Sequence, residues 1–241
     1  MATRYNYTGN IVTQGLVLNL DAAKTDSYPG TGTTWRDLSG FNNNGTLTNG
    51  PTFSGLGKQA AIVFDGVDDY VTGSLSNFNV GCISIWINPS TLINSGSSFQ
   101  SLITLKYTGT VDSEWYIALG SATSLLVNEY ITVQDTQNNT RTAINDGGSL
   151  SANTWYNLVF NLESGNYKIY INNIKKTETT FRGGVQQLTV PNILQLGAIV
   201  RLGVIDGPFP GKISLTQLYN RTLTQTEITQ NFNALRGRYG I

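Results

Sequence analysis

Short runs in which apolar and polar residues alternate recur along most of the chain. Leu16, Leu18 and Leu20 alternate with Val17, Asn19 and Asp21, the period-two signature of a half-buried strand. Ile83, Ile85 and Ile87 alternate with Ser84, Trp86 and Asn88, which places Trp86 on the opposite face. The rhythm continues through Leu102 to Tyr107, Trp115 to Leu119, Leu125 to Val133, Ala152 to Leu162, Tyr167 to Ile171, Leu194 to Leu196 and Lys212 to Tyr219. Each run is closed by Gly, Ser, Asn or Asp, so the pattern predicts an all-β fold, a two-sheet antiparallel β-sandwich or jelly roll. The one helical signal is C-terminal. Thr224-Gln-Thr-Glu227 forms a capping box, Ile228, Phe232 and Leu235 make one apolar stripe, and Gly237 is placed to end it.

Between the runs, residues 26–45 are dense in turn formers and predict a long ordered loop pinned by Trp35 and Leu38. Residues 134–148 predict a hairpin or loop with turns at Asn138-Asn139 and Asp146-Gly147, and Asn172-Asn173 marks a tighter hairpin. Residues 1–14 lack apolar periodicity and read as an N-terminal arm, with Tyr5 and Tyr7 as anchors or simply a frayed end. Residues 15–241 read as a single domain.

An acidic corner stands at Phe64-Asp-Gly-Val-Asp-Asp-Tyr70. Three carboxylates in so short a turn repel one another unless something compensates them. Asp65, Asp68 and Asp69 therefore cap their own turn through Asx-type hydrogen bonds, hold a calcium ion, or contact a ligand directly.

Composition narrows the chemistry. Only 12% of residues are charged and the 15 basic residues balance the 15 acidic ones, so there is no footprint for nucleic acid. No apolar run approaches the roughly 18 residues of a membrane span, and Met1-Ala-Thr-Arg-Tyr-Asn lacks the apolar core of a signal peptide. Cys82 is the one cysteine and there is no histidine. That removes intrachain disulfides, Ser-His-Asp chemistry and histidine-ligated zinc, and makes Cys82 a buried apolar residue rather than a nucleophile. Glu114, Glu129, Glu163, Glu178 and Glu227 are scattered, and Asp112-Ser-Glu114 is the nearest approach to a paired glycosidase motif. The expectation is a non-enzymatic protein without a cofactor, calcium aside. Sugar recognition wants aromatic faces beside amides and hydroxyls. Trp35, Tyr107, Tyr130 and Tyr170 with Asn42, Asn43 and Asn139 are the candidates, core packing being the alternative for the aromatics.

The chain resembles the concanavalin A-like lectin/glucanase superfamily in its laminin-G-like form. The residues that carry this are Gly15-Leu-Val-Leu-Asn-Leu-Asp-Ala22, Trp35-Arg-Asp-Leu-Ser-Gly40, Val63-Phe-Asp-Gly-Val-Asp-Asp-Tyr-Val71, Ile83-Ser-Ile-Trp-Ile87, Trp155-Tyr-Asn-Leu-Val159, Lys168-Ile-Tyr-Ile-Asn172 and Leu218-Tyr-Asn-Arg-Thr-Leu223. Trp35 to Pro51 and Tyr219 to Gly240 are similar to versions found in virion proteins of tailed bacteriophages, cyanophages included. The resemblance implies a virion surface subunit: a capsid decoration, head fibre or tail appendage, assembled in the host cytoplasm. Its partners would be other virion proteins, met through the arm and edge strands, in a homo-oligomer or lattice, with glycans as a further ligand. A host-recognition lectin is the alternative, and a glycoside hydrolase the third reading. Asn173 stands where the family pattern often has Gly, and Ser214-Leu215 replaces an acidic pair seen in many relatives.

Overall fold

The computed structural model describes residues 10–55, 57–91, 99–107, 113–120, 125–135, 138–163, 166–180 and 190–241. In chain order the strands are β1 (Leu16–Asp21), β2 (Thr34–Trp35), β3 (Gly45–Thr48), β4 (Thr52–Phe53), β5 (Ile62–Asp65), β6 (Tyr70–Ser74), β7 (Cys82–Pro89), β8 (Phe99–Tyr107) and β9 (Ser113–Gly120). There follow β10 (Leu125–Asp135), β11 (Asn138–Leu150), β12 (Tyr156–Glu163), β13 (Asn166–Ile171), β14 (Ile174–Thr180), β15 (Ile193–Leu196), β16 (Ile199–Arg201), β17 (Val204–Asp206) and β18 (Pro210–Tyr219). The helix α1 spans Gln225–Leu235 and runs into a 3-10 turn, Arg236–Arg238.

Two eight-stranded antiparallel sheets form the sandwich, as the alternation predicts. The first runs β14-β13-β12-β7-β18-β5-β4. β18 is its axis: β7 lines one edge, while β5 and β1 share the other, pairing with its first and second halves. The second runs β11-β10-β9-β8-β15-β6-β3-β2, and β16 with β17 make a separate hairpin. Leu18, Leu20, Ile83, Ile85, Ile87, Leu158, Phe160 and Ile213 from the first sheet meet Val71, Ile103, Leu105, Ile117, Leu194 and Leu196 from the second in one dry cluster. Burying that apolar area is the main favourable term in folding.

The outer face of the first sheet is sealed by the chain's ends. Thr224 and Glu227 exchange both capping-box hydrogen bonds, and Ile228, Phe232 and Leu235 face inward. Trp86, on the outward side as expected, stacks on Tyr239 at 4.0 Å and Phe232 at 5.9 Å. Gly237 does not end the helix. It lies inside the 3-10 turn that carries Arg238 to Asp21, where the guanidinium and carboxylate form a two-point ion pair at 2.9 and 3.0 Å with both side chains buried.

Several boundaries differ from expectation. Asn10 to Gln14 belong to the body rather than to an arm: Val12 is buried, its N–H donates to Asn231 Oδ1 at 2.7 Å, and its carbonyl accepts from the Tyr219 hydroxyl. Tyr5 and Tyr7 lie outside the described residues. The strand expected from Ala152 begins at Tyr156, because Asn153 adopts a left-handed turn. The hairpin expected over residues 134–148 is present as the antiparallel β10–β11 pair, but residues 138–150 are strand throughout, so Asn138-Asn139 is paired backbone rather than the turn. The Asp146-Gly147 signal falls at a register shift opposite Leu126 and Asn128, a bulge rather than a turn. The Leu38 side chain is exposed, and the residue ties the loop to β1 through its backbone instead, its N–H donating to the Asn19 carbonyl at 3.0 Å.

Candidate functional site

Strand register lays polar side chains in rows across the outer face of the second sheet. Thr46 is opposite Thr72, Thr72 opposite Gln195, Gln195 opposite Thr104, and Thr104 opposite Tyr116. In the neighbouring row Ser74, Ile193, Lys106 and Glu114 stand side by side.

The β16–β17 hairpin folds back over part of these rows. Ile199 packs on Tyr116 and Ala118, and the Val200 N–H donates to Gln195 Oε1 at 3.0 Å. Lys106 Nζ donates to the Val200 carbonyl. Arg201 fastens the hairpin through Nε to Glu114 and Nη1 to Asp206, both at 2.6 Å, and Lys106 stands 3.8 Å from Glu114. Burial disfavours the Arg201 charge, but the Glu114 bond and the Glu114 and Asp206 charges outweigh it, so the guanidinium is held above its ordinary value. Gln195 and Thr104 are buried as a result.

Beyond the hairpin the face is open. Asn42, Asn44, Thr46, Thr72, Gly73, Ser74 and Ile193 line a cleft of about 390 Å³. Its rim is shaped by Asp37, whose carboxylate accepts from the N–H groups of Asn19, Ser39 and Asn43 and from the Ser39 hydroxyl. Asn44 Oδ1 in turn accepts from the Asp37 N–H. Gly73 allows the wall to close up, since a Cβ there would lie 2.4 Å from the Asn44 carbonyl oxygen. Hydroxyls and amides both donate and accept, so the lining matches a polyhydroxylated ligand, and Ile193 offers a patch for its less polar side. None of the seven lining residues is ionisable.

Of the residues singled out for sugar contact, Asn42 lines the cleft, at a positive φ of 59°. Trp35 does not: it is wholly buried between the sheets. Asn43 is buried as a bracket, donating to the Val17 carbonyl and accepting from the Ser76 N–H and hydroxyl. Tyr170 is buried beneath the helix side of the other sheet. These three are corrected from ligand contacts to packing residues, because water and ligand do not reach them. Tyr107 is part-exposed at the end of β8, away from the cleft lining, and the side chains of Tyr130 and Asn139 lie outside the described structure. Phe41, one residue before Asn42, is 50% exposed but is not among the residues lining the cleft; the lining residues the sequence did not single out are Asn44, Thr46, Thr72, Gly73, Ser74 and Ile193.

The acidic corner carries the chain from β5 in the first sheet to β6 in the second. Asp65, Asp68 and Asp69 present carboxylate oxygens within 4.8 Å of one another. Asp65 Oδ1 accepts from the N–H groups of Val67 and Asp68, and Asp69 Oδ2 accepts from the Asp65 N–H. These are the Asx-type caps of the first alternative, and the Asp65 and Asp69 carboxyl groups also lie within hydrogen-bond contact of each other. Desolvation, with the charges of Asp65 and Asp68, raises Asp69 above the ordinary carboxylate range against the pull of its backbone bond. Cys82 is buried, and burial pushes its thiol far up, as expected of an inert packing residue.

A family model described as the concanavalin A-like lectin/glucanases superfamily matches residues 64–229. No curated protein sequence matches. Domain 4 of AbnA, an extracellular arabinanase from Geobacillus stearothermophilus solved in complex with arabinotriose, superposes with a TM-score of 0.63 at 18% identity, over 91% of this chain and 98% of that one. The binding domain of botulinum neurotoxin serotype D gives 0.67 at 16% identity, over 92% of this chain and 52% of that one. A sialidase of Trypanosoma rangeli in complex with sialic acid gives 0.66 at 15%, over 93% and 33%. This chain thus spans about half of the neurotoxin domain and a third of the sialidase. At such identities the likeness is one of fold.

Proposed function

The chain belongs to the concanavalin A-like lectin/glucanase superfamily, and on that premise we propose that it binds glycans in the outer-face cleft and does not cleave them. The observation that carries this is the lining itself: amides, hydroxyls and one aliphatic side chain, with no carboxylate to protonate a leaving oxygen or activate water. The solved relatives support a binding reading, since they include a toxin binding domain and an arabinanase domain solved with an arabino-oligosaccharide. Glycan-array screening followed by isothermal titration tests it. Reproducible hits that Ser74→Trp abolishes are expected, with no release of reducing ends; an array blank across all classes overturns it.

The setting we propose is a virion surface, as a capsid decoration, head fibre or tail appendage subunit. Its support is the wording of Trp35 to Pro51 and Tyr219 to Gly240, together with a near-neutral exterior and open sheet edges suited to a repeated assembly. Purified particles carrying the chain at fixed stoichiometry would bear this out, and its absence from them would leave the lectin role standing alone.

A further inference from the structure

We propose that Phe41 is an aromatic platform beside the cleft, which makes the site one for oligosaccharides long enough to reach from the lining to the ring. This rests on the cleft being a glycan site, and it concerns how far along the ligand recognition extends.

The lining residues supply amides, hydroxyls and the Ile193 side chain, but no ring on which the C–H face of a sugar can lie. The adjoining turn has one. Phe41 is 50% exposed, and its Cα is one peptide, about 3.8 Å, from that of the lining residue Asn42. The backbone presents it. Gly40 and Asn42 take positive φ of 95° and 59°, conformations that Gly and Asn accept more readily than other residues, so the chain turns on both sides of Phe41 and leaves it at the apex. Both flanks are tied down. On one, Ser39 donates through its N–H and its hydroxyl to the two oxygens of Asp37, and Ser39 Oγ accepts from the Phe41 N–H at 3.3 Å. On the other, the buried Asn43 holds the Val17 carbonyl and the Ser76 N–H and hydroxyl. A turn fixed at both ends has little freedom left to lose, so contact with its apex is kept as affinity. Half of the ring surface is withheld from the fold, and a ligand that covers it gains what folding does not take. Because Phe41 stands outside the lining, a glycan that fills the cleft and also covers the ring is longer than one that fills the cleft alone.

The test is a glycan array across all classes that carries each homologous series from mono- to hexasaccharide, followed by calorimetric titration of the series that bind. In the wild type the affinity should rise about tenfold from the shortest bound member to the longer ones, the scale of one good ring contact. Phe41→Ala should flatten that rise, and Phe41→Tyr, which keeps the ring, should preserve it. Ring-proton NMR of the unsubstituted protein gives a second reading that needs no variant to fold: the Phe41 signals should shift with the longer members and stay in place with the shortest. A wild-type affinity that does not grow with length, a folded Phe41→Ala variant that keeps the rise, or a Phe41 ring unmoved by the longer members overturns the platform while glycan binding in the cleft stands. A wild type that binds no glycan overturns both.

Discussion

The two outer faces of the sandwich have been treated oppositely. On the first sheet, helix α1, the 3-10 turn and residues 10–14 cover the outward side chains, so that Trp86, Leu215, Tyr219 and Val159 are as buried as the core between the sheets. Among the described residues the second sheet has the short β16–β17 hairpin above it, and Thr46, Thr72, Ser74 and Ile193 stay within reach of solvent. One face is committed to stability and the other is free for contact. Substitutions should separate accordingly: large losses of stability with no bearing on ligand on one side, losses of ligand with little change in stability on the other.

The largest effect belongs to the sealed face. Arg238→Ala takes the guanidinium from the Asp21 carboxylate, which has no accessible surface, and should cost about 3–5 kcal/mol, the range for breaking a buried ion pair by removing one partner. Replacing both partners with apolar residues should cost less than Arg238→Ala alone. Denaturant titration of the single and double variants measures the difference, and equal losses would show that the pair is not a coupled unit.

Next comes the helix start. Glu227 is held down to about 2, first by its bonds with Arg221 and then by the Thr224 N–H. A carboxylate bound more firmly as the anion in the folded state contributes stability above its unfolded value of about 4.5, and that contribution disappears as pH falls through about 2. Glu227→Gln should cost about 1 kcal/mol at pH 7, the part-exposed pair being screened, and almost nothing near pH 2. Thermal unfolding at the two pH values reads this directly.

On the open face the expected shift in stability is small. Thr72→Ala, at a part-exposed position, should stay within about 0.5 kcal/mol of the wild type, yet weaken glycan binding measurably in titration. Gly73→Ala is the sharper version. Its methyl would collide with the Asn44 carbonyl of the backbone, so, unlike Thr72→Ala, it should cost about 1–3 kcal/mol as the cleft wall moves, and abolish binding. A Thr72→Ala variant that unfolds, or a Gly73→Ala variant that binds normally, would break the division between the faces.

How far this division was legible in the sequence depends on whether a residue sits in a strand. Trp86 could be assigned to the outward side because its neighbours Ile85 and Ile87 fix the alternation. Trp35 could not: β2 is two residues long, too short to show a period, and a loop tryptophan reads equally as anchor or ligand platform. Asn42 and Asn43 are adjacent and chemically identical, but the backbone turns between them, so one lines the cleft and the other ties β1 to Ser76. Arg238 was silent because its partner Asp21 is 217 residues away. The cleft itself arises from register between β3, β6 and β15, which are distant in sequence.

The smallest expected effect concerns the acidic corner, which joins the two sheets and belongs to neither face. If hydrogen bonds from Asp65, Val67 and Asp68 N–H groups suffice to hold it, the melting temperature will be the same in EDTA and in millimolar calcium. Asp69→Asn should then be slightly stabilising at pH 7. The folded state raises the Asp69 value, so its ionisation opposes folding above that value and the opposition eases as pH falls through it. Asparagine keeps an oxygen for the Asp65 N–H while removing the charge. A calcium ion would reverse both results: a ligand bound only to the folded state must raise its melting temperature, and losing one of its carboxylates would then destabilise the corner. The two measurements together decide between a turn that caps itself and one that closes around a cation.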